Sequence, residues 1–214
     1  MMDELELLKK DWQKKEEHLP KLSYEDIYKM IWKKSSSIVK WMFYISIIEF
    51  VFWATINLVF TDAESWELFR TLHVYEITLT VTLINYAVLL YFIFKFYSNY
   101  RKISFTDSSK KLMKTILSVK RTVTQYVWFN IAIFTVSLVT GLYGSVRYGP
   151  DSKKILDAAE HAGNQTIFWI LTIGATLVMV MILLLLVWLF YKLLYGILLK
   201  RLKKNYEELR QLEI

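Results

Sequence analysis

The sequence predicts an all-α fold: a four-helix transmembrane bundle with cytoplasmic helical extensions and both termini inside, N-in/C-in. Three observations predict it. Residues 41–60, 77–94, 126–146 and 167–191 are apolar stretches, each long enough to cross a hydrocarbon core of ~30 Å at ~1.5 Å per helical residue. Of the 27 lysines and arginines, 23 fall on one side of these stretches. The stretches are continuous rather than alternating, in a 214-residue chain with 6 Gly and 2 Pro, and residues 167–191 carry no charge. In lipid only helices and closed barrels satisfy their backbone, and barrel strands would alternate.

The basic residues set the orientation. The segment up to Lys40 holds nine, residues 95–121 hold eight, and the part from Lys192 onward holds six. Against 12 acids, these segments carry a net +11. The two remaining connections hold Arg70, Arg147, Lys153 and Lys154 against seven acids, a net −3, and Glu49 completes the formal +7. An even number of spans with this bias places both termini in the cytoplasm. Trp41, Tyr91, Tyr97, Tyr126, Trp128, Trp188 and Tyr191 fall where the inner aromatic belt is expected, and Trp66, Tyr75, Tyr143, Tyr148 and Trp169 where the outer one is. Attraction to membrane lipids of an anionic inner leaflet accounts for the basic balance, so nucleic acid is not an expected partner. The first apolar run follows a charged segment of nearly 40 residues, so it is expected to be its own insertion signal rather than a cleaved leader. The chain has no Cys, which excludes disulfides and thiolate chemistry.

Residues 1–36 read as a cytoplasmic amphipathic arm, and 37–214 as the membrane domain. Within 3–19, acids lead and lysines follow, the order that suits the helix dipole. Leu5, Leu8, Trp12 and Leu19 mark one apolar face, and Pro20 ends it. Ser23 then reads as an N-cap, with Glu25 and Asp26 in the first turn. Ile27, Met30 and Ile31 form the next apolar face, on a helix expected to end near Ser35, Ser36 and Ser37. Leu5, Leu8, Trp12, Ile27, Met30 and Ile31 would contact a cytoplasmic protein partner if the arm docks one. The alternative is an interfacial helix resting on the inner leaflet.

Asp107 can cap a helix that runs through Leu112, Ile116, Val119 and Val123 directly into the third span. Residues 108–146 would then extend ~58 Å, roughly twice the membrane core. The fourth span continues through Leu194, Leu198, Leu202, Tyr206 and Leu209, towards Ile214. Lys203 and Lys204 stand four residues before Glu207 and Glu208. These extensions, about 107–124 and 192–212, are expected to pack together as a stalk; a homo-oligomer is the other use of such stripes. On the outer side, 61–76 is a short connection whose Trp66, Phe69 and Leu72 suit the membrane surface. Residues 147–166 hold the Gly-Pro turn and an amphipathic piece at 155–162.

Glu49 is the one carboxylate within the apolar stretches. It lies eight residues, or ~12 Å, from Trp41. An ionised carboxylate near mid-membrane costs several kcal/mol, so Glu49 is expected to face the bundle in protonated form. Ser46, Trp53 and Asn57 share its helical face, and Asn85 and Ser137 share its depth. The intramembrane polar cluster is therefore Glu49, Asn85, Ser137, Ser46 and Asn57. It reads as a hydrogen-bonded staple, with Glu49 donating to Asn85 or Ser137. The other reading is a protonatable site in a small transport or channel component. Ion-coupled carriers use more charges and broken helices, which favours the staple. The Ser137-x-x-x-Gly141 step, extended by Gly144, allows close helix approach.

Catalysis finds little support. His18, His73 and His161 fall in separate segments, and the sequence has no metal-ligand spacing, phosphate cradle or Gly-x-Ser-x-Gly. No catalytic residue, metal or cofactor is expected.

The run LELLKKDWQKKE followed by LSYEDIYKMIWKKSSSIVKW, within residues 5–41, resembles a family of small uncharacterised bacterial four-span membrane proteins. Some of its members carry the label beta-carotene monooxygenase. Such oxygenases resemble a soluble β-propeller with iron on four histidines; three scattered histidines and no strand pattern do not fit. The resemblance implies a bacterial inner membrane and a regulatory partner such as a sigma factor. The expectation is thus a non-enzymatic inner-membrane protein that anchors or regulates a cytoplasmic partner.

Overall fold

The computed structural model describes residues 23–104 and 108–212. Leu5, Leu8, Trp12, Asp107 and Ile214 lie outside them. The elements are α1 (Tyr24–Phe60), α2 (Ala63–Thr71), α3 (Tyr75–Ser104), α4 (Ser109–Tyr148), α5 (Ser152–His161) and α6 (Gln165–Tyr191). A π-helical segment, Lys192–Gly196, then leads into α7 (Ile197–Leu212). Among the described residues there is no strand. Four helices are long and apolar enough to cross a membrane: α1, α3, α4 and the composite α6–π–α7.

α1 begins as its sequence dictates. The Ser23 hydroxyl accepts from the Asp26 amide at 3.2 Å, and the Asp26 carboxylate accepts from the Ser23 amide at 3.3 Å. This reciprocal capping box satisfies two donors that the first turn leaves free. The helix then runs 37 residues, straight through Ser35–Ser37, where the sequence suggested a stop. The boundary drawn between 36 and 37 therefore falls inside one helix. The reason lies in its buried face: Ile31, Ser35, Val39, Met42, Ser46 and Glu49 follow steps of four and three without a break. Ser35 on that face meets Asn205 of α7, at 3.0 Å.

The other long helices repeat this spacing. α3 buries Leu89, Phe92, Phe96, Asn99 and Ile103. α4 buries Leu112, Ile116, Val119, Val123 and Tyr126, and runs 40 residues, as its unbroken pattern predicted. The fourth buries Tyr191, Tyr195, Leu202, Asn205 and Leu209. Alternating steps of three and four give a seam of the coiled-coil type, with side chains interdigitating between neighbours. α1 packs on α3, α3 on α4, α4 on α7, and α7 back on α1. The two predicted extensions do pack together, but within a four-helix core to which α1 and α3 also contribute.

That core occupies one half of the molecule, towards the basic end. Nothing in the most apolar 18-residue stretch of the fourth long helix is buried inside the protein, and only 6% of the corresponding stretch of α4 is. Leu171, Leu177, Met181 and Leu186 stand exposed along α6. Apolar surface on this scale needs an apolar surrounding. At the opposite end, α2 is capped by Asp62, whose carboxylate accepts from the Ser65 amide at 2.9 Å. His73 turns the chain into α3 with φ 56°, and its ring packs on Tyr148 with centroids 4.4 Å apart. Trp66 and Phe69 are half-exposed there, whereas Leu72, read as a surface residue, is buried with Val74.

Candidate functional site

Three polar layers interrupt the apolar core. The first is built on Glu49. The stripe on α1 turns its carboxyl inward, and the π segment shapes the facing wall. A π turn carries an extra residue, and across this one Tyr191 and Tyr195 both face the bundle, with their rings 6.3 Å apart and 20° from parallel. Tyr191 donates to Glu49 Oε1 at 2.5 Å, and Tyr195 donates to Oε2 at 3.2 Å. Tyr126 from α4 packs edge-on against both rings, with centroids at 6.1 and 5.7 Å. From α3, Phe96 stacks on Tyr195 at 6.3 Å. All four long helices therefore enclose this group. A buried carboxyl persists only where its oxygens are hydrogen-bonded, and here each oxygen has its own phenol.

The second layer joins α3 to α4. Asn99 Nδ2 donates to Thr122 Oγ1 at 3.1 Å, and the Ser118 hydroxyl donates to Asn99 Oδ1 at 3.1 Å. The third joins α7 to α1, where Asn205 Nδ2 donates to Ser35 Oγ at 3.0 Å. Nearby, Trp32 Nε1 donates to the Ile103 carbonyl at 2.8 Å. That carbonyl lies in the last turn of α3, which has no helical donor left to offer it. Polar groups at seam positions fix register, because any slip leaves them unpaired in an apolar core.

The expected polar cluster is therefore corrected. Glu49 is buried, as expected, but its partners are tyrosines rather than Asn85 or Ser137. Ser46 is buried and satisfies itself on its own helix, donating to the Phe43 carbonyl at 2.7 Å. Asn57 is exposed and donates to the Trp53 carbonyl at 2.9 Å. Ser137 is exposed, and Asn85 is half-buried with its Oδ1 lacking a hydrogen-bond partner. Counting residues along a helix gives depth but not azimuth, and these groups share a height without sharing a face. The apolar face of the arm needs a similar correction. Ile31 is 3% exposed within the core, and Ile27 is half-buried against it. Met30 is exposed.

The tyrosines were legible only in part. Tyr191 and Tyr126 were read as interface-belt residues, and the spacing of four between Tyr191 and Tyr195 was the available signal. Asn205 stands within the stripe of Leu198, Leu202 and Leu209, a polar residue in an otherwise apolar row. Asn99, Thr122 and Ser35 carried the same signal.

The arrangement holds a carboxyl in a fixed orientation among neutral donors. It includes no group of three acidic or histidine side chains that could hold a metal ion among the described residues. Four long apolar helices around such layers define an all-helical protein compatible with multi-pass insertion in a membrane. The chain belongs to the family described as Domain of unknown function (DUF8845), whose family model matches residues 25–214. Comparison with curated proteins and with solved structures found no match.

Proposed function

We propose that this protein is a non-enzymatic membrane anchor, with both termini in the cytoplasm, that presents a rigid basic helical domain to a cytoplasmic protein partner and regulates it. The observation that carries this reading is the position of the core. Ile31, Ile103, Leu112, Ile116, Val119, Leu202 and Leu209, all buried, lie beyond the apolar stretches. A simple anchor has no need of a packed and register-locked domain outside the bilayer. The positive-inside rule sets the orientation, and a bacterial inner membrane is its expected location. A sigma factor is the narrower partner suggested by the resemblance of residues 5–41. With Ile31 buried and Ile27 packed against the core, the contact surface among the described residues reduces to Met30 and the outer faces of α4 and α7.

The absence of cysteine gives a direct test. Single cysteines at Glu64 and Ser152 should react with an impermeant maleimide on intact cells, and cysteines at Lys110 and Arg210 only after lysis. Photo-crosslinkers at Lys110 and Met30 in the full chain should then capture a soluble protein. Reversed labelling, or capture of lipid alone, would overturn the reading.

One observation favours a second reading, a small transport or channel component: Glu49 with its phenols beside a π turn, a feature often found at functional sites. Proton flux in proteoliposomes, lost in Glu49→Gln, would support it. A channel would also need a homo-oligomeric ring, since the centre of this bundle is filled.

A further inference from the structure

Between the basic ends of α1 and α7 lies a groove of about 610 Å³. Lys33 and Lys34 line it from α1, and Arg201 and Lys204 from α7. All four are exposed, and no acidic side chain among the described residues lines it. Lys204 has an ion pair with Glu208 at 3.8 Å, one turn along its own helix, with Lys204 exposed and Glu208 half-exposed. Such exposed pairs hold their cation weakly. The groove is not uniform along its length. Ile38, Leu198 and Trp41 line the end nearer the apolar stretches, and Trp41 is 58% exposed. On α1, Lys34 precedes Trp41 by seven residues, which sets the cations ~10 Å along the helix from the indole. The two walls are locked to each other by the Asn205–Ser35 hydrogen bond at the groove's base.

We propose that this groove binds the phosphodiester head group of an anionic phospholipid, with the four cations on the phosphate and the Trp41 end against the glycerol and upper acyl chain. Charge complementarity selects the anion, since basic pockets between spanning helices suit phospholipid head groups. The apolar end selects a lipid over a free phosphate. Bridging α1 and α7 would couple the lipid to the register-fixing layer beneath it. The inference rests on the proposed orientation, which puts this end at the anionic inner leaflet, but its test does not. Binding in micelles is independent of topology, whereas the cysteine labelling reads topology alone.

The test uses the full chain in detergent and native mass spectrometry of retained lipid. Wild type should retain phosphatidylglycerol at least about tenfold more than phosphatidylcholine at equal concentration. A Lys33→Gln, Lys34→Gln, Arg201→Gln, Lys204→Gln variant should lose about tenfold of that retention. A control with the same charge removed elsewhere at this end (Lys110, Lys111, Lys114 and Arg121 to Gln) should stay within about twofold. Arg201→Glu alone should lower retention several-fold, which covers failure of the fourfold variant to fold. Equal loss in variant and control would mean diffuse attraction and overturn the site. So would equal retention of phosphatidylcholine, or displacement by inorganic phosphate at the lipid's own concentration.

Discussion

Glu49 and Tyr191 lie 142 residues apart in the chain, yet Tyr191 donates to the Glu49 carboxyl at 2.5 Å. This contact ties the first long helix to the last. It sits at the boundary between the packed half of the molecule and the half whose apolar surface faces outward. Removing the hydroxyl in Tyr191→Phe leaves one carboxyl oxygen without its donor, a loss of about 1–3 kcal/mol for a buried polar group. Glu49→Gln keeps a polar side chain at that position and should cost less. A double-mutant cycle by denaturant unfolding in micelles should give a coupling of about 0.5–2 kcal/mol, in line with hydrogen bonds between membrane helices. Coupling indistinguishable from zero would remove the contact from any account of stability.

The same cycle on Asn205 and Ser35 tests the register argument. Asn205→Ala strips the donor and leaves the Ser35 hydroxyl buried, again about 1–3 kcal/mol. Replacing both by apolar residues of similar size should recover much of that stability while loosening register. Disulfide trapping between single cysteines placed on α1 and α7 would then report more than one pairing. A single pairing in the double variant would contradict a register role.

The four long apolar helices and the length of α4 were legible because composition reports them without reference to neighbours. The partners of Glu49 were not. Its azimuth depends on the whole stripe from Ile31 through Ser35 to Ser46, and the three serines at 35–37 disguised that stripe as a helix end. The facing wall depends on a π turn, whose extra residue carries no sequence signature of its own beyond Gly196 at its close. Reading polar residues as seam members would have found Asn99, Thr122 and Asn205, since each stands three or four residues from a buried apolar neighbour.

The split between a packed half and an exposed half makes a prediction by position. Leu112 and Leu202 are 0% and 1% exposed, so truncation to Ala should cost about 2–5 kcal/mol by opening a cavity. Leu177 is 60% exposed on α6, and Leu177→Ala should change unfolding in micelles by less than about 1 kcal/mol. Thermal unfolding of the three variants in one detergent reads the difference. Similar losses at all three positions would mean that α6 packs on something other than lipid.

Asp62 should act as a pH-sensitive cap. The hydrogen bond from the Ser65 amide, joined by the Ser65 hydroxyl, holds its carboxyl below the usual aspartate range. A depressed value means that the cap's contribution is fully present above the ordinary aspartate pKa, and is lost as pH falls through the lowered one. The Ser65 amide resonance should therefore titrate at a pH below that of a free aspartate, with fraying of α2 following it. Asp62→Asn keeps an acceptor for the amide and should abolish the titration while α2 remains formed.

Gly144 and Gly141 were read together as one close-approach motif, and they separate cleanly. A Cβ on Gly144 would lie 2.8 Å from Val74 Cγ1, 3.2 Å from the Leu72 carbonyl oxygen and 3.3 Å from Leu72 Cβ. The chain between α2 and α3 folds over α4 at this point, and the backbone carbonyl cannot move aside as a flexible side chain would. Gly144→Ala should therefore destabilise by about 1–3 kcal/mol through overpacking. A Cβ on Gly141 meets nothing within 4 Å, and that residue sits inside a regular helix. Gly141→Ala should be neutral or stabilising by up to about 1 kcal/mol, because alanine loses less backbone entropy on forming helix. Unfolding of the two variants side by side checks the pair, and destabilisation by Gly141→Ala would point to a neighbour that α4 acquires only in an oligomer.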